Sequence, residues 1–223
     1  TVPDFEAGSQ VAHYYCELAE HAIQDGDLET AGECLQQANS QEPPTLRAQL
    51  ALGDLARRAG NHKAAVDAYR AVMDADPRLI GEIIPALAES CRALEDQELL
   101  SSILNGLRQK DALAGKAIAM AAIHDPQIQN ATALECLWDY VAEDPILAPL
   151  VDTERLVDAS EADRAAAIAR VRAGLGRLIS STHRYRCNEC GYVTSQLLWQ
   201  CPSCRSWETV KPVGRLSLIS PIS

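Results

Sequence analysis

The sequence predicts an all-α protein that carries a small attachment, built around four cysteines, near its C-terminal end. The first observation is compositional: aromatic residues make up only 4% of the chain while Ala and Leu are abundant, which favours closely packed helices over a β-sandwich. The second is a pattern of apolar and small residues that recurs at a constant offset along the chain. The third is the grouping of four cysteines into two C-x-x-C pairs. With 223 residues, 47% of them hydrophobic, the chain can bury a sizeable core.

The recurring pattern indicates a repeated pair of helices. Its offset is that of tetratricopeptide repeats, about 34 residues, in which each unit is a helix-turn-helix hairpin. Small residues let the two helices approach closely, larger ones such as Leu35 and Tyr69 fill the space towards the next unit, and a proline ends the second helix. The matched pairs at this offset are Leu18 and Leu52, Gly26 and Gly60, Ala31 and Ala65, and Pro43 and Pro77.

The repeats predict a superhelical domain over residues 1–181, followed by a second domain over 182–223. The third unit is degenerate, because it keeps the helical periodicity but lacks the glycine turn and the terminal proline. After the fourth unit we expect an apolar segment at 146–157 and a capping helix opened by Ser160 and Asp163, a variant of the capping box. The predicted units are 12–45, 46–79, 80–113 and 114–147.

A superhelix of this kind has a concave face lined by the first helix of each unit, and such faces commonly bind an extended peptide or a partner's helix. Arginines on this face could form forked hydrogen bonds with a partner's carboxylates. The alternative is an ordinary solvated face with local ion pairs, each contributing about 0 to 1 kcal/mol. The candidate groove residues are His13, Glu20, Arg47, Asp54, Arg57, Arg58 and Arg92.

The two C-x-x-C pairs predict a closed metal site. Two tight turns, each presenting two thiolates to one centre, form the tetrahedral arrangement that zinc adopts, and iron uses the same rubredoxin-type geometry. Gly191 supplies the left-handed backbone that such a turn needs, whereas Arg205 stands where glycine is usual after the second pair. The metal should fold this small ribbon, because the ribbon has little core of its own. The predicted ligands are Cys187, Cys190, Cys201 and Cys204.

Several functions are disfavoured by the sequence. Four protein ligands leave no coordination position for substrate, and the chain has no phosphate-binding loop, H-E-x-x-H or G-x-S-x-G motif, so we predict that it is not an enzyme. The net charge is −11, and because residues 182–223 carry +3 the remainder carries −14, which disfavours binding of nucleic acid by the helical part. The cysteines outside the pairs are expected to be small buried thiols; they are Cys16, Cys34, Cys91 and Cys136.

Three stretches in this order resemble the lipopolysaccharide assembly protein B family, which combines tetratricopeptide repeats with a rubredoxin-type metal-binding domain. They are HYYCELAEHAIQDGDLETA, LGDLARRAGNHKAAVDAYR and RYRCNECGYVTSQLLWQCPSCRSWETVKPV. The resemblance covers essentially the whole chain. It implies an all-α tetratricopeptide-repeat superhelix with a small C-terminal rubredoxin-like ribbon, in which four cysteines hold one iron or zinc ion. It places the family's metal ligands on Cys187, Cys190, Cys201 and Cys204.

The resemblance also implies a function. It points to a non-catalytic adaptor on the cytoplasmic side of the inner membrane that promotes proteolysis of the lipid A-committing deacetylase by a membrane AAA protease. Proteins of lipopolysaccharide assembly and export would be further partners. The family's N-terminal membrane anchor is absent from this chain, which we expect to be soluble as given. We further expect the ribbon to pack against the helix near residues 160–180.

Two alternatives come from other functional classes. A similar cysteine ribbon opens a family of bacterial recombination ATPases, so the chain could be a nucleic-acid or repair accessory protein with a zinc ribbon, although the −14 body opposes this. A rubredoxin-like electron carrier is the other alternative, and it requires iron in the ribbon.

Overall fold

A computed structural model describes residues 4–41, 44–125, 128, 130–143, 160–179 and 184–213. Within these ranges the chain forms nine α-helices, one 3-10 turn at Pro77–Leu79 and three short strands. The predictions at Pro43, Pro145 and 146–157 lie outside the described residues. The helices are α1 (Asp4–Gln24), α2 (Leu28–Asn39), α3 (Leu46–Arg58), α4 (His62–Ala75), α5 (Ile80–Ala93), α6 (Gln97–Lys110), α7 (Ala112–His124), α8 (Ala131–Glu143) and α9 (Glu161–Ile179), and the strands are β1 (Tyr185–Cys187), β2 (Val193–Thr194) and β3 (Val210–Pro212).

The first two helix pairs use the same turn, one repeat apart. Gly26 and Gly60 adopt positive φ angles of 83° and 76°, a conformation that glycine reaches without a steric penalty. The next residue caps the following helix in each case: the Asp27 side chain accepts a hydrogen bond from Thr30 N, and the Asn61 side chain accepts one from Ala64 N. The repeat therefore extends from the sequence pattern to the backbone geometry.

Small residues let the helices of these pairs approach closely. A Cβ atom added to Gly53 on α3 would lie 2.8 Å from Cε1 of Tyr69 on α4, so the glycine makes room for the ring. Leu35 is fully buried in a cluster formed by α1, α2 and α3, whose other members are mostly alanines. Leu35 fills the space towards the next pair, as predicted, because its cluster includes residues of α3. Tyr69 is buried as predicted, but the contact that it makes with Gly53 lies within its own pair.

Equivalent leucines in the first two pairs have different surroundings. Leu52 packs against the cluster formed by α1 and α2. Leu18, at the same position of the preceding repeat, is 55% exposed. The difference arises because Leu52 follows a helix pair that covers it, whereas Leu18 lies on the first helix of the structure.

The third pair of helices keeps its turn without glycine. Glu95 adopts a φ of 57°, and its N–H bonds to Arg92 O at 3.0 Å, as the N–H of Gly60 bonds to Arg57 O at 3.0 Å. A left-handed residue other than glycine costs about 1 to 2 kcal/mol, and the buried side chains of α5 and α6 offset this cost. The apolar residues that give this unit its helical periodicity are buried: Ile83, Leu87, Cys91, Leu100, Leu104 and Leu107.

The chain divides into two compact units. One comprises Thr1–Asp76 with Ala86–Gln97, and the other comprises Pro77–Pro85 with Glu98–Ser223. The division passes through α5 next to Pro85, which lies inside that helix and leaves one backbone carbonyl without its usual helical donor.

In the second unit, α7 packs against α8 and α9. The predicted capping box opens α9: Asp163 N donates to the Ser160 hydroxyl at 3.2 Å, and that hydroxyl donates to the Asp163 carboxylate at 2.7 Å. Leu175 on α9 is buried, and Arg172 donates to Ile128 O at 2.8 Å.

The C-terminal ribbon is a three-stranded antiparallel sheet in the order β2-β1-β3. Its buried apolar side chains are two cysteines together with Tyr185 and Val210, so the described part of the ribbon has a very small apolar core. The prediction of a mostly helical repeat protein with a small C-terminal four-cysteine ribbon is confirmed. Among the described helices, none is both long and apolar enough to cross a bilayer.

Candidate metal centre

Four cysteine sulfurs meet at one point of the ribbon. The Sγ atoms of Cys187, Cys190, Cys201 and Cys204 all lie within 4.8 Å of one another, and none of these cysteines forms a disulfide. The Sγ atoms of Cys187 and Cys204 are 3.7 Å apart, and those of Cys190 and Cys201 are 3.6 Å apart. Metal–sulfur bonds of about 2.3 Å in a tetrahedron separate the sulfurs by about 3.8 Å. The four side chains therefore fit one metal ion.

The two turns that present these sulfurs have matching backbones. In the first, Gly191 N donates to Cys187 O at 3.0 Å and Cys187 N donates to Tyr192 O at 2.7 Å. In the second, Arg205 N donates to Cys201 O at 2.8 Å and Cys201 N donates to Ser206 O at 3.0 Å. Each turn thus closes with the same two hydrogen bonds, made at equivalent positions of its cysteine pair.

Arg205 adopts the left-handed conformation that glycine takes in the first turn. Its φ is 62°, close to the 77° of Gly191. A side chain in this region crowds its own backbone, which costs about 1 to 2 kcal/mol. The hydrogen bonds of the turn are the same with arginine as with glycine.

Polar groups around the sulfurs favour thiolates. The Thr209 hydroxyl lies 3.3 Å from Cys187 Sγ, and the Ser206 hydroxyl lies 3.5 Å from Cys204 Sγ. Burial raises the pKa of Cys187, but hydrogen bonding with the Thr209 hydroxyl and with two backbone N–H groups outweighs burial and lowers that pKa. The Ser206 side chain and backbone lower the pKa of Cys204.

Cys201 behaves in the opposite way. It is fully buried, and this burial raises the pKa of its thiol. Four close sulfurs cannot all carry a negative charge without a cation between them, so the protein alone stabilises some thiolates at the expense of others. A divalent or trivalent ion would remove the remaining protons on binding.

The arrangement is that of a closed site for one metal ion. Four thiolates satisfy the tetrahedral preference of zinc and of rubredoxin-type iron, and they fill the coordination sphere. Such a site stabilises a fold rather than binding a substrate. Two of the ligands are buried, Cys187 and Cys201, and two are exposed, Cys190 and Cys204.

Within its own unit the ribbon contacts residues near the start of α5. Strand β3 packs against the Pro77–Leu79 turn, and Arg184 Nη2 lies 3.1 Å from Glu82 Oε1. The sequence predicts that the ribbon contacts the helix near residues 160–180. The contacts given above are instead with residues 77–82. Residues 180–183 lie outside the described part of the chain. Sequence spacing offers no signal for this contact, because Glu82 and Arg184 are 102 positions apart.

The predicted groove residues of the first unit are largely engaged within the protein. His13 is fully buried, and Arg47 is buried with its guanidinium 2.8 Å from the exposed Glu20. Asp54 accepts a hydrogen bond from the Tyr69 hydroxyl at 2.7 Å.

The arginines of the predicted groove differ in their surroundings. Arg57 forms an ion pair with Glu89 at 2.8 Å. Arg58 and Arg92 are exposed. The structure thus places most of the predicted groove residues in contacts between helices, and it leaves Arg58 and Arg92 as the groove arginines that face solvent.

The cysteines outside the two C-x-x-C pairs are buried as predicted, with one exception. Cys16, Cys91 and Cys136 are buried, whereas Cys34 is partly exposed at the edge of its cluster. Burial raises the pKa of Cys91 to about 11, so this thiol is protonated at neutral pH.

The helical part and the ribbon each match a known protein family. Residues 46–79 match the tetratricopeptide repeat family, and residues 185–212 match a family described as the rubredoxin metal binding domain. The chain is 26% identical over 210 residues to lipopolysaccharide assembly protein B of Escherichia coli (strain K12), which covers 93% of this chain and 54% of that protein. It is 28% identical over 214 residues to the protein of the same name from Haemophilus influenzae, covering 94% and 53%.

The chain spans about half the length of the curated relatives that it matches. Both parts of the structure have counterparts in the comparisons: the second helix pair coincides with the repeat match, and all four clustered cysteines lie inside the ribbon match. The chain is therefore a tetratricopeptide-repeat protein with a rubredoxin-type metal-binding ribbon, and its curated homologues are named lipopolysaccharide assembly protein B.

Proposed function

We propose that this protein is a non-catalytic adaptor that regulates lipopolysaccharide synthesis and assembly on the cytoplasmic side of the inner membrane. In this role it presents the lipid A-committing deacetylase to a membrane AAA protease and contacts proteins of lipopolysaccharide assembly and export. One observation carries the proposal: helix pairs followed by a four-cysteine ribbon, in this order, align over 93% of the chain with a protein named for lipopolysaccharide assembly.

The metal site supports an adaptor rather than an enzyme. The ion would be iron or zinc, held by Cys187, Cys190, Cys201 and Cys204. With four sulfur ligands no coordination position remains for a substrate, so the ion would supply folding energy to the ribbon. The ribbon then offers a rigid surface beside the helices of its own unit.

The helical part supports binding to proteins. Tetratricopeptide hairpins expose one helix of each pair to partners. Arg58 and Arg92 are exposed, so their guanidinium groups can form forked hydrogen bonds with carboxylates of a partner protein. The strongly acidic composition opposes a nucleic-acid partner.

The direct test is the lifetime of the deacetylase in cells. In a strain that lacks the protein, the deacetylase should persist after synthesis is stopped, and expression of the full-length protein should restore its rapid loss. The full-length protein should also retain the deacetylase and the protease in a pull-down from an inner-membrane fraction. An unchanged deacetylase lifetime, together with no retention of either partner, would refute the proposal.

Two kinds of variant refine the test. Charge reversal of Arg58 and Arg92 to Glu should weaken retention of the deacetylase or the protease if these side chains meet a partner. Charge reversal at Arg70, an exposed residue of α4 outside the predicted groove, is the matched control and should leave retention unchanged. Equal loss in both variants would show a nonspecific charge effect and would contradict the assigned partner surface.

A further inference from the structure

One carboxylate joins the ribbon to the beginning of α5. Glu82 lies in the first turn of this helix, and its Oε1 accepts a hydrogen bond from Arg184 Nη2 at 3.1 Å. The hydroxyl of Tyr185 also donates to Glu82. The Arg184 guanidinium lies 5.4 Å from the centre of the Tyr185 ring, so the three side chains form one compact cluster, which we call the Glu82 clasp.

The clasp is largely shielded from solvent. Tyr185 is 2% exposed, and the side chains of Glu82 and Arg184 are 24% and 31% exposed. A tyrosine hydroxyl is protonated at neutral pH, so Tyr185 can donate to the carboxylate. Hydrogen bonds to a partly buried carboxylate are stronger than those between neutral groups.

On the ribbon side, the clasp is tied directly to the metal ligands. Tyr185 and Cys187 lie on the same short strand, and Cys187 is paired with Val210 on β3. Val213 N donates to Arg184 O at 2.8 Å, which extends the pairing to the clasp itself. A metal that holds Cys187 would therefore also restrain the strand that carries Tyr185 and adjoins Arg184.

On the helix side, the clasp meets a tightly packed segment. Ile80, Ile83 and Ile84 on either side of Glu82 are fully buried. A Cβ atom added to Gly81 would lie 3.4 Å from Ala117 O, so the backbones of α5 and α7 are nearly in contact here. With its neighbours buried, the first turn of α5 cannot move far without losing contacts.

We propose that the Glu82 clasp couples metal loading of the ribbon to the order of the first turns of α5. When a metal holds Cys187, the strand presents two donors to Glu82 and so stabilises the helix start. When the metal leaves, these donors lose their fixed positions and the carboxylate loses both hydrogen bonds. Because coupling between two events is reciprocal, the clasp must also increase the affinity for the metal by the same factor. This inference does not depend on the proposed function.

The first test is a competition between the protein and a chromophoric chelator for Zn²⁺. Replacing Glu82 with Ala removes both hydrogen bonds and should weaken zinc binding about tenfold, since bonds to a charged group are worth about one order of magnitude in an equilibrium constant. Glu82→Gln keeps a hydrogen-bond acceptor, so its zinc affinity should lie between those of the unchanged protein and Glu82→Ala. Glu89→Gln, which changes a carboxylate on the same helix that pairs with Arg57 rather than with the ribbon, should bind zinc as the unchanged protein does.

The second test is hydrogen exchange with and without zinc. In the unchanged protein, chelation should speed exchange in residues 79–84 about tenfold, with α2 and α4 as internal references that do not change. In Glu82→Ala, exchange should already be fast with zinc bound, and chelation should add little. Arg184→Gln removes one of the two bonds from the ribbon side and should change both results in the same direction but by less, which guards against a general folding defect in the first variant.

Two outcomes would overturn the inference. One is zinc affinity that is the same in Glu82→Ala, Glu89→Gln and the unchanged protein. The other is an effect of chelation on residues 79–84 that is as large in Glu82→Ala as in the unchanged protein, because the ribbon would then act through the Pro77–Leu79 turn without the clasp.

Discussion

The helix pairs and the ribbon reach a defined structure by different means. The helices bury many apolar side chains, with Leu35, Tyr69 and Leu104 fully enclosed, so their stability is spread over a large apolar core. Among the described residues of the ribbon, the buried apolar side chains besides two cysteines are Tyr185 and Val210, and its remaining order depends on four sulfurs around one point.

The same local device nevertheless recurs in both regions. Each contains related turns that use glycine at positive φ in some cases and a charged residue in another: Gly26 and Gly60 with Glu95 among the helices, and Gly191 with Arg205 in the ribbon. A backbone penalty of about 1 to 2 kcal/mol is tolerated wherever the surroundings determine the turn strongly enough. A packed core provides this in one region, and we expect the metal to provide it in the other.

Removal of the metal should have the largest effect, and it should affect the ribbon and the helices differently. Binding of a structural zinc contributes on the order of 10 kcal/mol to the folding of a small domain, so chelation should unfold the ribbon and leave the helices formed. Fluorescence should report the change through Trp199 and Trp207, while far-ultraviolet circular dichroism stays nearly constant.

Matched cysteine variants test the same point. Cys187→Ser should reduce metal content and reproduce the unfolded ribbon, whereas Cys136→Ser, which alters a buried thiol of α8, should retain the metal. Loss of most helical signal on chelation would contradict the separation of the two regions.

Shortening a buried side chain of the helices should have the next largest effect, and it should lower the stability of the helices alone. Leu35→Ala removes a fully buried side chain and should lower the free energy of unfolding of the helices by about 2 to 5 kcal/mol. Leu18→Ala makes the same change at a position that is 55% exposed and should alter stability by less than about 0.5 kcal/mol. Chemical denaturation followed by circular dichroism distinguishes them, and equal effects would mean that Leu18 is covered in solution.

Acid should weaken the first unit through His13. Burial, reinforced by the positive charge of Arg47, lowers the pKa of His13 from 6.5 to about 4. Between these values the unfolded chain binds a proton that the folded protein excludes, so this contribution to stability is complete above pH 6.5 and is lost as the pH falls towards 4. From pH 7 to 5 the loss should be about 2 kcal/mol.

The control for this prediction is His13→Gln, which removes the titrating group. Its stability should change less between pH 7 and 5 than that of the unchanged protein, as measured by denaturation at both pH values. Glu17 and Glu20, which lie beside Arg47, are present in both proteins and cancel in the comparison. If the stabilities of the two proteins changed equally between pH 7 and 5, the loss of stability could not be assigned to His13.

The smallest effects should appear in the two ribbon turns, with opposite signs. Gly191→Ala places a side chain at a φ of 77° and should destabilise the metal-bound ribbon by about 1 to 2 kcal/mol. Arg205→Gly relieves the same strain at a φ of 62°, but glycine is also more flexible in the unfolded chain, so the net gain should be below about 1 kcal/mol. Zinc competition measures both, and weaker binding by Arg205→Gly would show that the arginine makes a contact that outweighs its backbone strain.

The features that follow from local patterns could be predicted from the sequence. The repeated helix pairs and the four clustered cysteines agree with the structure because spacing alone determines which residues share a helix face or a tight turn. The capping box at Ser160 was predictable for the same reason, since its hydrogen bonds join residues within one helical turn.

Features that depend on distant parts of the chain could not be predicted in this way. Arg47 and Asp54 resemble exposed groove residues by their helix positions, yet one is buried beside Glu20 and the other bonds to Tyr69. A helical period identifies a face of a helix, but not which neighbouring helix covers it. The turn at Glu95 carries no glycine that would mark it in the sequence, although Glu95 adopts the same positive φ as the glycines of the other pairs.

The sequence by itself thus determined the helix pairs, the turns that glycine marks, and the residue types of the metal site, because each rests on interactions within a few residues. The tertiary structure alone decided that Leu18 is exposed where Leu52 is covered, and that the ribbon meets Glu82. These outcomes depend on contacts between residues far apart in the chain, and such contacts leave no periodic trace in the sequence.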